Sequence, residues 1–201
     1  MELSQNSTVK ITAILLLLAA ISQPIYTALY IQAPEFDRQF LWGLEGLIFA
    51  LMAAFAGSAL VMAKRYTLGF AAIAFSAVLN VIQVGVGLTQ FGPFRAASEA
   101  NPELAGVSFS VLAFSFFGYN AAKIMLGLAA IVFGMGKMGE GGKFLGGLTA
   151  LAGVVAFAAN TFVMMFGLQN GLVPSPVAGA SGVVATLLLA FCLFSVRSEQ
   201  S

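Results

Sequence analysis

Histidine is absent from the 201 residues, cysteine occurs once (Cys192), tryptophan once (Trp42), and charged side chains make up only 8% of the chain. Without histidine, haem ligation by imidazole and His-based acid–base catalysis lack their residues. A single thiol rules out disulfide scaffolds and Cys-rich zinc sites, so no cofactor and no metal are expected. The net charge is +1, with no basic run, which leaves no electrostatic footprint for nucleic acid. A soluble domain carries about a quarter charged residues, roughly three times what is present here.

What fills the chain instead is apolar: 60% hydrophobic residues and a mean hydropathy of +0.96. Stretches long enough to cross a bilayer run over Val9–Ile31, Leu41–Ala63, Leu68–Phe91, Ser108–Gly136, Phe144–Leu168 and Val177–Val196, each near or above the roughly 20 residues a spanning helix needs. Short Gly/Pro-containing or polar breaks separate them, which suit turns rather than further domains. The sequence therefore predicts an all-α integral membrane protein: one polytopic domain over residues 1–201, six transmembrane helices in a single bundle of three antiparallel hairpins. No basic stretch precedes the first span and no small-x-small site follows it, so a removed signal peptide is not expected.

Basic residues set the orientation, because basic loops are retained on the cytoplasmic side. With the N-terminus inside, the inner segments hold Lys10, Lys64, Arg65, Lys137, Lys143 and Arg197, whereas the outer loops hold only Arg38 and Arg95. Both termini are expected to be cytoplasmic, which leaves the sequon at Asn6 unglycosylated, and the expected location is a bacterial inner (plasma) membrane. The outer segment 92–107 is read as a loop containing a short interfacial helix started by Pro93 or Pro102.

Small residues recur at seven-residue spacing: Ala113, Asn120, Gly127 and Gly134 in the fourth span, Gly146, Gly153, Asn160 and Gly167 in the fifth. About a turn centred on Glu140, Gly134 falls opposite Gly146, Gly127 opposite Gly153 and Asn120 opposite Asn160. Lipid supplies no hydrophobic drive for helix association, so these faces predict close backbone approach, with an interhelical amide bond worth about 0.6 to 2 kcal/mol. The second and third spans repeat the pattern, placing Gly43, Ala50, Gly57 and Lys64 opposite Gln90, Gln83, Ser76 and Gly69. Three outward-running spans end in a polar residue followed by proline (Gln32 and Pro34, Gln90 and Pro93, Asn170 and Pro174), as a threefold hairpin repeat would.

At about 1.5 Å per residue from the nearest inner basic residue, Gln23, Asn80, Lys123, Asn120, Asn160, Gln83 and Glu45 stand between about 20 and 28 Å up. They form a polar band at or above the midplane of a core about 30 Å thick, over an almost wholly apolar inner half. A charge at mid-bilayer costs at least about 2.5 to 3.5 kcal/mol on insertion scales, so Lys123 is expected to face the interior with a partner. Glu45, the one acidic residue within a span, lies within reach of a lysine stem extended outward. The pair reads either as a ligand site or as a device fixing helix register. Pro24, directly after Gln23, removes the donor for the Ala20 carbonyl and bends the first helix at the band.

Two functions of different class follow. One is a channel or transporter for a small polar or zwitterionic solute, with Glu45, Lys123, Gln23, Asn80, Gln83, Asn120 and Asn160 lining a site in the outer half of the bilayer. Six helices in three hairpins resembles, in outline only, the small urea and amide channels; that family's characteristic tryptophans are missing and no residue is carried over. The other is a non-catalytic accessory subunit whose small-residue seams, such as Ala178, Gly182 and Ala185 in the sixth span, dock identical copies or a larger membrane complex. An enzyme acting on a lipid headgroup would have one acid and one base but no second carboxylate or metal set, so the chain is not expected to be an enzyme. Beyond the lipid bilayer, the expected partners are a second copy or such a complex.

Overall fold

The structure, a computed structural model, describes residues 3–33, 37–167 and 171–195, and the side chains of all of these except Tyr30 and Ser175. Pro34, Asn170, Arg197 and the expected span ends Leu168 and Val196 lie outside the described residues, so the proline half of the threefold repeat is visible only at Pro93 and Pro174.

The helices are α1 (Gln5–Gln32), α2 (Gln39–Met62), α3 (Thr67–Val86), α4 (Gly92–Ala100), α5 (Ala105–Gly139), α6 (Lys143–Phe166) and α7 (Ser175–Phe194). Among the described residues, six helical runs are long and apolar enough to cross a membrane. Local chemistry explains their limits. Ser4 caps α1 by accepting from the Ser7 N–H at 3.2 Å, Gly141 at φ +92° turns the chain between α5 and α6, and Gly167 at φ +80° ends α6. Pro24 lies within α1, which continues past it to Gln32.

The outer segment is more helical than the sequence suggests. A π-helical turn, Gly87–Phe91, joins α3 to α4 without a break, so Thr67–Ala100 is one run of 34 residues. Pro93 directly follows the π turn, at the point where the continuous run loses a backbone donor, and Arg95 pairs with Glu99 at 3.0 Å. A one-turn 3₁₀ helix, Pro102–Leu104, then leads into α5.

Neighbouring helices close a ring. α1 packs beside α2 and α7, α2 beside α3, α3 beside α5, and α5 beside α7, while α6 lies against α5 and α7 alone. α5 and α7 run parallel: Tyr119 meets Gly179, the Lys123 stem meets Gly182, Phe133 meets Cys192 and the Lys137 ammonium donates to the Ser195 carbonyl at 3.0 Å. Between the Glu45–Lys123 level and the α5–α6 turn, the ring is filled by Leu16, Phe49, Met52, Ile73, Leu126, Phe133, Leu189 and Leu193, all buried. Large apolar side chains such as Phe40, Val61, Phe75, Phe144 and Leu151 point outward, as lipid contact requires.

The α5–α6 seam is backbone against backbone. A Cβ on Gly127 would lie 2.9 Å from the Gly153 carbonyl oxygen, and one on Gly134 would lie 2.7 Å from that of Gly146, so the two opposed glycine pairs are the points of contact. The α2–α3 seam differs from the sequence expectation. Gly43 and Gly57 face open space, Gly69 is covered by the Phe133 ring of α5, and the contacts run from Gly46 to Val84 and from Gly87 to Trp42. The bulk of the Trp42 indole decides this: it needs a neighbour without a side chain, and Gly87 supplies it. The α7 seam is also turned inward, with Ala178 and Ala185 buried and Gly182 closed by Lys123, so it is no free docking face.

Candidate functional site

α5 places Lys123 inside the ring, 1% exposed. Helical side chains lean toward their own N-terminus, which for α5 is the Ala105 end. The lysine stem accordingly runs toward that end along Gly182, where an added Cβ would stand 2.7 Å from Cδ, and its ammonium lies 5.1 Å from the centre of the Tyr119 ring, one turn up the same helix. Nζ donates to Gln23 Oε1 of α1 at 2.7 Å.

Glu45, 6% exposed, enters the same interior from α2 and accepts from the Ser22 hydroxyl at 2.8 Å. Ser22 also reaches the Ala19 carbonyl at 3.1 Å. Glu45 and Lys123 carry opposite charges, yet no ion pair within 4.0 Å joins them among the described residues. Contrary to the expected direct pair, each charge is bonded to a neutral side chain of α1, and the two α1 residues are neighbours. α1 packs beside α2, so Ser22 meets Glu45 across that interface, while Gln23 meets Lys123 across the interior of the ring.

Above Glu45, on the same α1–α2 interface, Tyr26 stacks on Trp42 with ring centres 5.3 Å apart, Phe91 meets Trp42 edge-on at 5.4 Å, and the Arg38 guanidinium lies 5.7 Å from the Tyr26 ring centre. The site is thus roofed by aromatics at the level of the π turn. At the opposite end, the Tyr66 hydroxyl donates to Glu140 at 2.8 Å, Arg65 lies 3.8 Å from the same carboxylate and 5.2 Å from the Tyr66 ring centre, and that ring packs on Phe133. Tyr66 is held at φ +61°, a left-handed conformation uncommon for a tyrosine. Burial, reinforced by the Glu140 carboxylate, raises its hydroxyl above the ordinary tyrosine range.

The remaining band residues are dispersed. Gln83 donates to Ser115 of α5 at 3.2 Å. Asn80 donates to the Ser76 carbonyl at 3.0 Å and leaves its buried Oδ1 without a partner. Asn120 and Asn160 do not bond each other: Asn120 donates back to Phe116 at 2.7 Å, whereas Asn160 donates to Ala156 at 2.8 Å and to Ala178 of α7 at 3.1 Å. Asn160 sits on the helix outside the ring, so its amide joins α6 to α7. Glu45, Lys123 and Gln23 are therefore the band residues brought together, with Ser22 and Tyr119 added. Ser22 is a residue that sequence reasoning missed, although its place beside Gln23 and Pro24, where the helix loses a backbone donor, was a usable signal.

Among the described residues no group of three or more His, Cys, Asp or Glu side chains could hold a metal ion. The chain matches no protein-family model, and comparison with curated proteins and with solved structures finds no match. What the fold defines is a multi-pass integral membrane protein built as a helix bundle.

Proposed function

We propose that the protein is a channel or transporter for a small polar or zwitterionic solute, bound in the outer half of the bilayer between Glu45 and Lys123. The observation that carries this reading is the separation of the two buried charges. A pair kept only to fix register gains most from direct contact, since attraction must offset the cost of desolvating both ions. Here an ammonium and a carboxylate inside one ring are each steadied by a neutral α1 side chain, an arrangement that leaves hydrogen-bonding capacity on both for a third party. The aromatic roof and the Arg65–Tyr66–Glu140 cluster then serve as outer and inner closures, and the apolar packing between the site and the inner end as the barrier. In this reading the six spans form three hairpins in a bacterial inner membrane, with both termini cytoplasmic and Asn80, Gln83 and Asn120 flanking the path. Asn160 serves the seam behind it. The accessory-subunit reading offered the α7 seam as one example of a docking face, and that seam is occupied within the chain.

Swelling of protein-loaded vesicles in iso-osmotic solutions of small amides, polyols and amino acids tests the proposal. At least one solute is expected to enter faster than into protein-free vesicles, and Lys123→Met is expected to abolish the difference. Entry no faster than the protein-free rate for every solute overturns it.

A further inference from the structure

Resting on the transport reading, we propose that the site selects a zwitterion of no net charge, its ammonium end facing Glu45 and its carboxylate end facing Lys123. The site's own charge is balanced: one carboxylate and one ammonium, both buried in the same ring. A monovalent anion or cation entering it would leave a buried region with a net charge, which is costly in a low-dielectric interior. A neutral amide keeps the balance but offers neither charge a counter-charge. A zwitterion does both, and charge-assisted hydrogen bonds are roughly twice as strong as neutral ones.

The anchoring of the two groups gives the site a direction. Ser22 holds Glu45 and Gln23 holds Lys123. Successive residues of a helix point about 100° apart, so one short segment of α1 keeps the carboxylate and the ammonium on different bearings. The Glu45 carboxylate accepts one hydrogen bond from Ser22 and keeps further acceptor sites suited to an ammonium. At the other end, Tyr119 and the lysine stem form the wall, and the stem can occupy that place because residue 182 is glycine. Gly182 is thus a positioning residue for the carboxylate end.

The test uses the whole protein in detergent micelles. Melting is followed with a thiol-reactive fluorogenic dye that reports exposure of Cys192, the one cysteine, buried in the folded state. Glycine, β-alanine and γ-aminobutyrate are compared with acetate, methylammonium and acetamide at matched ionic strength. At least one zwitterion is expected to raise the midpoint, and acetate, methylammonium and acetamide to leave it unchanged. In Glu45→Gln the site keeps one positive charge, and acetate is expected to bind at least about tenfold more tightly than in the parent. Lys123→Gln is expected to do the same for methylammonium, and Gly182→Ala to weaken zwitterion binding at least about tenfold by displacing the ammonium. Stabilisation by acetamide alone, or by a single ion in the parent protein, rejects the zwitterion while keeping a solute site. No stabilisation by any of the probes, together with no vesicle entry, rejects the transport reading as well.

Discussion

Replacing Gly153 with alanine adds one methyl group at the tightest seam in the molecule. Its Cβ would stand 2.7 Å from the Gly127 carbonyl oxygen and 2.8 Å from the Ile131 nitrogen, both backbone atoms that no rotamer change can move. Ordinary contact begins near 3.4 Å, so α5 and α6 must part by about 0.7 Å at this level. Overpacking of this kind costs about 1 to 3 kcal/mol, offset by at most about 1 kcal/mol from the better helix propensity of alanine. At mid-range, about 2 kcal/mol of overpacking less about 0.5 to 1 kcal/mol of helix propensity leaves a net loss of about 1 to 1.5 kcal/mol, which for a chain of this length lowers Tm by about 2 to 6 °C. Gly57→Ala is the control: the same chemical change at a helical site with nothing within 4 Å of the new Cβ. It is expected to leave Tm unchanged or raise it by about 2 °C. Thermal ramps read by dye labelling of Cys192 compare the two. Equal shifts in the two variants would refute backbone-to-backbone packing of α5 on α6.

The other predictions concern the charges, the inner cluster and the sidedness. Glu45→Gln and Lys123→Met are each expected to lower thermal stability, because each leaves the other charge buried without its counter-charge; the double variant is expected to recover most of the loss, and stable single variants would show that the two groups do not act on each other. Tyr66→Phe and Glu140→Ala each remove the bond between the α2–α3 turn and the end of α5, so both are expected to speed alkylation of Cys192, which lies against the Phe133 carbonyl; unchanged rates would leave this cluster without a closing role. The raised hydroxyl of Tyr66 means that its contribution to stability is complete below its ordinary value near 10 and is lost as pH rises through the higher folded value. An alkaline melting series should therefore show a steeper decline in the parent than in Tyr66→Phe. With Cys192 changed to Ala, cysteines at Ser98 and Ala100 are expected to react with impermeant reagents from outside whole cells and one at Gly139 not to; the reverse would invert the topology.

The spans were legible because length and apolarity alone decide them. The α5–α6 register was legible for a different reason: Gly127, Gly134, Gly146 and Gly153 are themselves the contact, so their spacing reports it directly. The same reading applied to α2 and α3 picked Gly43 and Gly57, because in a chain with 22 glycines a small-residue face is easily drawn. Which face is used depends on the partner's bulk, here Trp42 over Gly87. Lys123 and Glu45 announced themselves by the cost of burying charge, but their partners did not. That Gln23 and Ser22 intercept them follows from how the ring closes between α1 and α7, a contact between the ends of the sequence that no local pattern encodes. The amides of Asn120 and Asn160 were placed at one depth correctly enough to look paired, yet each found a backbone carbonyl first.

The seam between α5 and α6 has a bearing on motion. Its two glycine contacts clamp α5 from behind, and α7 braces it along a parallel run down to Ser195. The helix that carries Lys123 is consequently a fixed post. α1 has no such clamp, carries a proline at the height of the site, and supplies both neutral partners. On the proposed transport reading, solute entry resembles a jaw closing on an anvil: the braced lysine stays, and the short stretch of α1 around Ser22 and Gln23 swings away from the two charges and returns.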